Sequence, residues 1–234
     1  MRIKTVTITG ADDSINPRSL IELSQEYPFV EWGLLLSRSS MGGRRFPSLK
    51  WMEGLREDRF DETVNISGHI CGQWVRDLLI GKISEFTKVI NPVYDMFKRI
   101  QINTHGEKSN ISNNGLVTAL KSLDRQILIQ FDEVNSWIYY CAKNAGINVF
   151  PFFDLSHGAG VLPERWPDFI GDYCGYAGGL GPDNLEEQLE KIESVIGDKN
   201  VWIDMETKVR SDNDEKFDIK KVRKCLEIVK LKIF

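Results

Sequence analysis

Histidine is scarce in this chain, three in 234 residues, and none of the three sits in a local metal motif. The four cysteines, Cys71, Cys141, Cys174 and Cys225, are scattered with no CxxC pair. They read as reduced thiols, mostly filling a core, rather than as a disulfide framework. There is no excess of positive charge. Thirty lysines and arginines against 34 aspartates and glutamates leave a net charge of -4, which argues against a nucleic-acid surface. No apolar run is long enough to span a bilayer. The opening, Met1-Arg2-Ile3-Lys4-Thr5-Val6, enters a strand directly without the apolar region of a signal peptide, so the expected location is the cytoplasm. Domain boundaries, linkers and low-complexity tracts are missing, and residues 1–234 read as a single domain.

Hydrophobic residues make up 41% of the chain, enough for one sizeable core. Strand and helix signals alternate along the whole length. Strands are expected over Thr5–Thr9, Phe29–Leu36, Thr63–Ser67, Arg99–Asn103, Gln126–Phe131, Ile147–Phe153, Asp172–Tyr176 and Val201–Met205. Helices are expected over Pro17–Glu26, from Ser48 to about Glu57, and over Gln73–Ile80, Asn113–Leu123, Val134–Ala145, Asn184–Ile192 and Asp218–Leu231. Pro163–Phe169 reads as a helical turn, and 82–97 as an extra helical piece broken at Asn91-Pro92. Eight such units in a chain of this length predict an α/β fold, a (β/α)8 TIM barrel. An open doubly wound sheet is the alternative, and it rarely needs eight units.

In such a barrel the strand C-termini and the loops after them build the site. Polar residues gather at those ends here. They include Thr9, Arg38, the Arg44-Arg45 pair, His69, His105, Asp132, Asp154, His157, Asp204, Glu206, Lys208 and Arg210. Asp154 closes the apolar run Val149-Phe150-Pro151-Phe152-Phe153, so burial is expected to raise its pKa and suit it to general acid work. The competing reading makes it a helix cap or a loop salt bridge. The stretch Ala177-Gly178-Gly179-Leu180-Gly181-Pro182-Asp183-Asn184 joins a strand to a helix N-terminus. Gly178 and Gly179 let a ligand approach backbone N–H groups there, which predicts an anion site. Its alternative is a tight connection that needs glycine for geometry alone.

These segments together resemble phosphoribosylanthranilate isomerase, a (β/α)8 enzyme of tryptophan biosynthesis. Ile8-Thr9-Gly10 resembles the family's Ile-Cys-Gly, and Trp32-Gly33-Leu34-Leu35-Leu36-Ser37 with its arginine loop resembles the second strand. Phe153-Asp154 resembles the strand-six Leu-Asp. Residues Ala177 to Asn184 are similar to Ala-Gly-Gly-Leu-Asn-Pro-Glu-Asn, and Ile203-Asp204, Lys208-Val209-Arg210 and Phe217 to Val222 to the strand-eight phosphate region. The resemblance implies an Amadori-type isomerisation of a phosphorylated sugar derivative. Asp154 would be the acid and Gly178 and Gly179 the phosphate binders, with Lys208 and Arg210 nearby. Arg38 or Arg45 would contact the anthranilate.

Two positions depart from the family pattern. Thr9 stands where the family has its basic cysteine, and a threonine hydroxyl is a far weaker base than a thiol. His69 or Asp132 is expected to take over as base, with Thr9 lining the pocket. Glu206-Thr207-Lys208 replaces a Ser-Ser-Gly turn. The expected partner is a small phosphorylated or anionic metabolite, with no cofactor and no metal, for a monomer or homodimer. Two alternatives remain. One is a metal-dependent epimerase or lyase using His69, His105, Asp132 and His157. The other is a barrel that binds its metabolite without turnover.

Overall fold

The computed structural model describes residues 1–58, 64–104, 111–156 and 158–233. Eight parallel strands close in sequence order, each paired with the next and β8 with β1. They are β1 (Arg2–Thr9), β2 (Val30–Ser37), β3 (Asn65–Cys71), β4 (Arg99–Ile102), β5 (Gln126–Gln130), β6 (Val149–Asp154), β7 (Cys174–Ala177) and β8 (Asn200–Met205). Helices α1 (Arg18–Glu26), α2 (Leu49–Asp58), α3 (Gln73–Leu79), α4 (Ser84–Ile90), α5 (Asn113–Ser122), α6 (Ser136–Asn144), α7 (Leu185–Ile196) and α8 (Ile219–Lys230) follow in chain order. The chain is a (β/α)8 barrel.

Two expected elements differ. β3 runs four residues further than its apolar signal, to Cys71, because it pairs with β2 as far as Ser37. His69 therefore lies inside a strand and not in the loop after it. Residues Pro163–Phe169 form no helix. Pro163 and Pro167 each lack an N–H, and Pro167 pushes Trp166 out of helical geometry. Trp166 anchors this segment instead, buried against Tyr176 with its indole N–H on Gln188 Oε1 at 3.1 Å. The extra piece after α3 is helical as expected, α4 passing into a 3-10 turn over Asn91–Met96.

Alternate residues of each strand face opposite ways. In β4, Ile100 packs outward with Ile102 among residues such as Leu116 and Leu120 of α5. Each such side chain contributes roughly 1.5–3 kcal/mol by leaving water. Arg99 and Gln101 turn inward, where they bond Glu31 and His69. The barrel interior is accordingly divided. The side made by β1 to β4 is polar, with Thr7, Thr9, Glu31, Ser67, His69, Arg99 and Gln101 all buried. The side made by β5 to β8 is mainly apolar, with Leu128, Phe152, Ala177 and Trp202 forming their own cluster and Gln130 and Asp204 as its buried polar groups. Residues from both sides reach the C-terminal mouth, where the site lies.

Candidate functional site

A cavity of about 340 Å³ opens at the C-terminal ends of the strands. Asp154, Asp204, Glu206, Arg45, Lys208, Gly178, Gly179 and Gln101 are among its lining. That volume suits a small metabolite.

Asp154 ends β6 and the loop after it folds over its carboxylate. Oδ1 accepts from Ser156 N–H at 3.1 Å and from Ser156 Oγ at 2.7 Å, and Oδ2 accepts from Gly158 N–H at 2.9 Å. A Cβ on Gly178 would stand 3.7 Å from Asp154 Oδ1, so acid and glycine loop are neighbours. Gly178 (φ 114°) and Gly179 (φ 66°) hold a turn that L side chains rarely adopt. The loop from β6 packs closely here, and a Cβ on Gly179 would lie 2.7 Å from Leu162 N. Asn184 braces the turn, donating to Gly179 O and accepting from Gly181 N–H, both at 2.9 Å. Among the described residues the N–H groups of Gly178, Gly179, Thr207 and Lys208 have no hydrogen-bond partner. All four residues line the cavity. Lys208 is exposed and brings a positive charge to the same side.

Two further carboxylates share the mouth. Asp204 projects inward from β8 and accepts from Thr9 Oγ1 at 2.7 Å. Burial raises its pKa well above 3.8; the Thr9 hydrogen bond opposes the rise, and the charges of Glu206, Asp154 and Glu31 add to it. Glu206 is also raised, first by burial, with Arg45 working against that and Asp154 and Asp214 with it. Its Oε1 accepts from Arg45 Nη1 at 2.6 Å, so its side chain is held by a guanidinium.

The other expected residues have separate placements. Arg45 reaches the mouth, but its side chain is committed to Glu206 and to Asp214 at 2.9 Å. Arg210 is fully buried beneath the loops, tied to Asp12 at 2.8 Å, to Asp214 at 2.6 Å and to Gly10 O. Arg38 stands on the surface, paired with Glu85 of α4 at 2.9 Å. Asp132 closes the turn ahead of α6, accepting from the N–H groups of Val134 and Asn135, both at 2.7 Å. It is not part of the cavity lining. His69 is buried in the interior, where desolvation, reinforced by Arg99 and opposed by Glu31, pushes its pKa down to about 3. It is thus a very weak base. His105 and His157 lie outside the described residues. Among the described residues no group of three or more histidines, cysteines, aspartates or glutamates is arranged to hold a metal ion.

Gln101, Asn103 and Gln130 line the cavity although nothing in the sequence reading selected them. Their signal was a polar residue at alternate positions of otherwise apolar strands.

The class is that of a (β/α)8 barrel whose mouth sets three carboxylates beside a glycine loop. No family model matches the chain, and no curated protein matches it. Among solved structures, it is similar to a monomeric form of the dimeric phosphoribosylanthranilate isomerase of Thermotoga maritima, at 14% identity and a TM-score of 0.57, covering 98% of each chain. That likeness shows the fold. A GH113 beta-1,4-mannanase is similar at 11% identity and a TM-score of 0.42, covering 99% of this chain and 98% of that one. Among the described residues no helix is long and apolar enough to cross a membrane.

Proposed function

We propose that this barrel catalyses proton transfer within a small phosphorylated sugar derivative, an aldose-to-ketose isomerisation of the Amadori type. The observation that carries the reading is the meeting of Asp154, Asp204 and the Gly178-Gly179 turn in one cavity. The unpartnered N–H groups of Gly178, Gly179, Thr207 and Lys208, with the Lys208 ammonium, receive the anionic group. Asp204 keeps its proton through burial and gives it to the sugar ring oxygen as the ring opens. Asp154, held by three donors, takes the proton from C2, which turns the carbon–nitrogen double bond into an enolamine; Asp154 then returns a proton to C1 while the C2 hydroxyl gives its hydrogen to the Asp204 carboxylate, leaving the ketose and both carboxyls as they began. Asp154 thereby works as the base, the reverse of the role the sequence resemblance implies. No thiol is required, and Thr9 orients Asp204 instead. The protein would work in the cytoplasm, as a monomer or homodimer.

The test is exchange of the C2 hydrogen with deuterated water, followed by NMR, for phosphoribosylanthranilate first and then for other phosphorylated aldosylamines and aldoses. Turnover in the wild type should fall by about 100-fold or more in Asp154→Asn and in Asp204→Asn. Full turnover in Asp154→Asn would remove the assignment. Binding of these compounds without any exchange would instead leave a metabolite-binding barrel.

A further inference from the structure

Beneath the carboxylates lies a side chain with a fixed and unused acceptor. Gln101 is 2% exposed and still lines the cavity. Its Nε2 donates to Asn103 Oδ1 at 2.8 Å and reaches His69 Nδ1 at 3.2 Å. With the amide so placed, neutral His69 accepts at Nδ1 and carries its ring hydrogen on Nε2, 3.0 Å from Ser67 Oγ. Burial holds it in the neutral form. Both amide hydrogens of Gln101 are therefore committed. Turning the amide over would set Oε1 against Asn103 Oδ1, whose own Nδ2 is turned to Cys71 Sγ at 3.3 Å. Oε1 is left buried and without a partner among the described residues. A buried acceptor without a partner is costly, and the side chain that carries this one lines the cavity, where a ligand can supply the hydrogen.

We propose that Gln101 Oε1 accepts a hydrogen bond from a hydroxyl or amine of the bound compound, with His69 and Asn103 as its positioning residues. The ring order places β4 across the mouth from β8. A ligand whose anionic group sits at the glycine turn and Lys208 thus extends its polar body over Gln101. The pocket takes a hydroxyl-bearing phosphorylated compound and discriminates it from a bare anion. This deepens the proposed function and rests on its anion site for the orientation of the ligand, but not for the role of Gln101.

The experiment compares three probes by titration calorimetry: inorganic phosphate, ribose 5-phosphate and uncharged ribose. Wild type is expected to bind ribose 5-phosphate more tightly than phosphate. Gln101→Met, near in shape but without the acceptor, should weaken ribose 5-phosphate by about tenfold or more and leave phosphate unchanged. His69→Phe should do the same, while His69→Asn, which keeps an acceptor near Nδ1, should recover most of the loss. The histidine pair carries the test if thermal melts show that Gln101→Met does not fold. Unchanged ribose 5-phosphate affinity in the folded variants overturns this inference and leaves the proposed function standing. Gln101-dependent binding of ribose, with no binding of either phosphate, supports the inference and removes the anion site. Failure of all three probes removes both.

Discussion

Asp204 carries the sharpest conflict between charge and burial in the chain. It is 5% exposed, and desolvation, aided by Glu206, Asp154 and Glu31, outweighs the Thr9 hydrogen bond and raises its pKa. Its folded-state pKa therefore lies above its unfolded one. The stability linked to this proton is full below the unfolded value of 3.8 and is lost as pH rises through the folded value. Asp204→Asn keeps an acceptor for Thr9 and cannot ionise. It is expected to gain about 1–2 kcal/mol at neutral pH, as removal of a destabilised site residue commonly does. The gain should shrink as pH falls into the ordinary carboxylate range. Urea unfolding at a series of pH values checks this, and a gain independent of pH would contradict it. His69 and Asp132 illustrate the complementary point. Each has the residue type of a base, yet one is buried neutral and the other is taken up by the turn ahead of α6.

The loops after β1, β2 and β8 are tied by two arginines and two aspartates. Asp12 Oδ2 accepts from Arg45 N–H at 2.8 Å and from Arg210 Nη2 at 2.8 Å, while Asp214 accepts from both arginine side chains. Arg45 adopts φ 71°, a conformation its many bonds hold in place. Arg210 has no exposure, so Arg210→Met leaves Asp12 buried and poorly paired. The expected cost is about 3–5 kcal/mol, seen as a lower melting temperature. Arg45→Met, whose partners are more exposed, should cost less. Burial pushes Asp12 and Asp214 up, but hydrogen bonds and the arginine charges outweigh it, so both carboxyls end below the usual 3.8. Their contribution is present above 3.8 and is lost as pH falls through the lower folded values. Asp12→Asn should flatten the acid limb of the stability profile, and an unaltered limb would show that other groups set it.

The whole barrel is organised around its divided interior. Arg99 and Glu31 form an ion pair across the polar half, with Arg99 Nε 2.7 Å from Glu31 Oε2 and its guanidinium 4.9 Å from the Trp202 ring centre. Thr7 Oγ1 adds a hydrogen bond to Glu31 at 3.0 Å. Breaking a buried pair on one side leaves an uncompensated charge, so Glu31→Leu alone should cost about 3–5 kcal/mol. The double variant Glu31→Leu with Arg99→Met should recover most of that loss, because two apolar side chains of similar volume replace the pair. A double-mutant cycle by chemical denaturation measures the recovery. Two losses that simply add would indicate that the pair does not act as a unit.

The closed ring was readable from the chain because alternation of strand and helix is local, carried by hydrophobic period and turn residues only a few positions apart. Asp154 and the glycine turn were readable for the same reason, since each sits at the end of its own strand. Who meets whom was not. Thr9 and Asp204 are 195 positions apart, and Arg45 and Asp214 are 169 apart. Such pairs exist only after the barrel closes, so residue type alone neither sets Arg38 against Glu85 nor brings Gln101 to the cavity. Protonation belongs to the same group, because burial and distant charges set it, and neither is written in residue type.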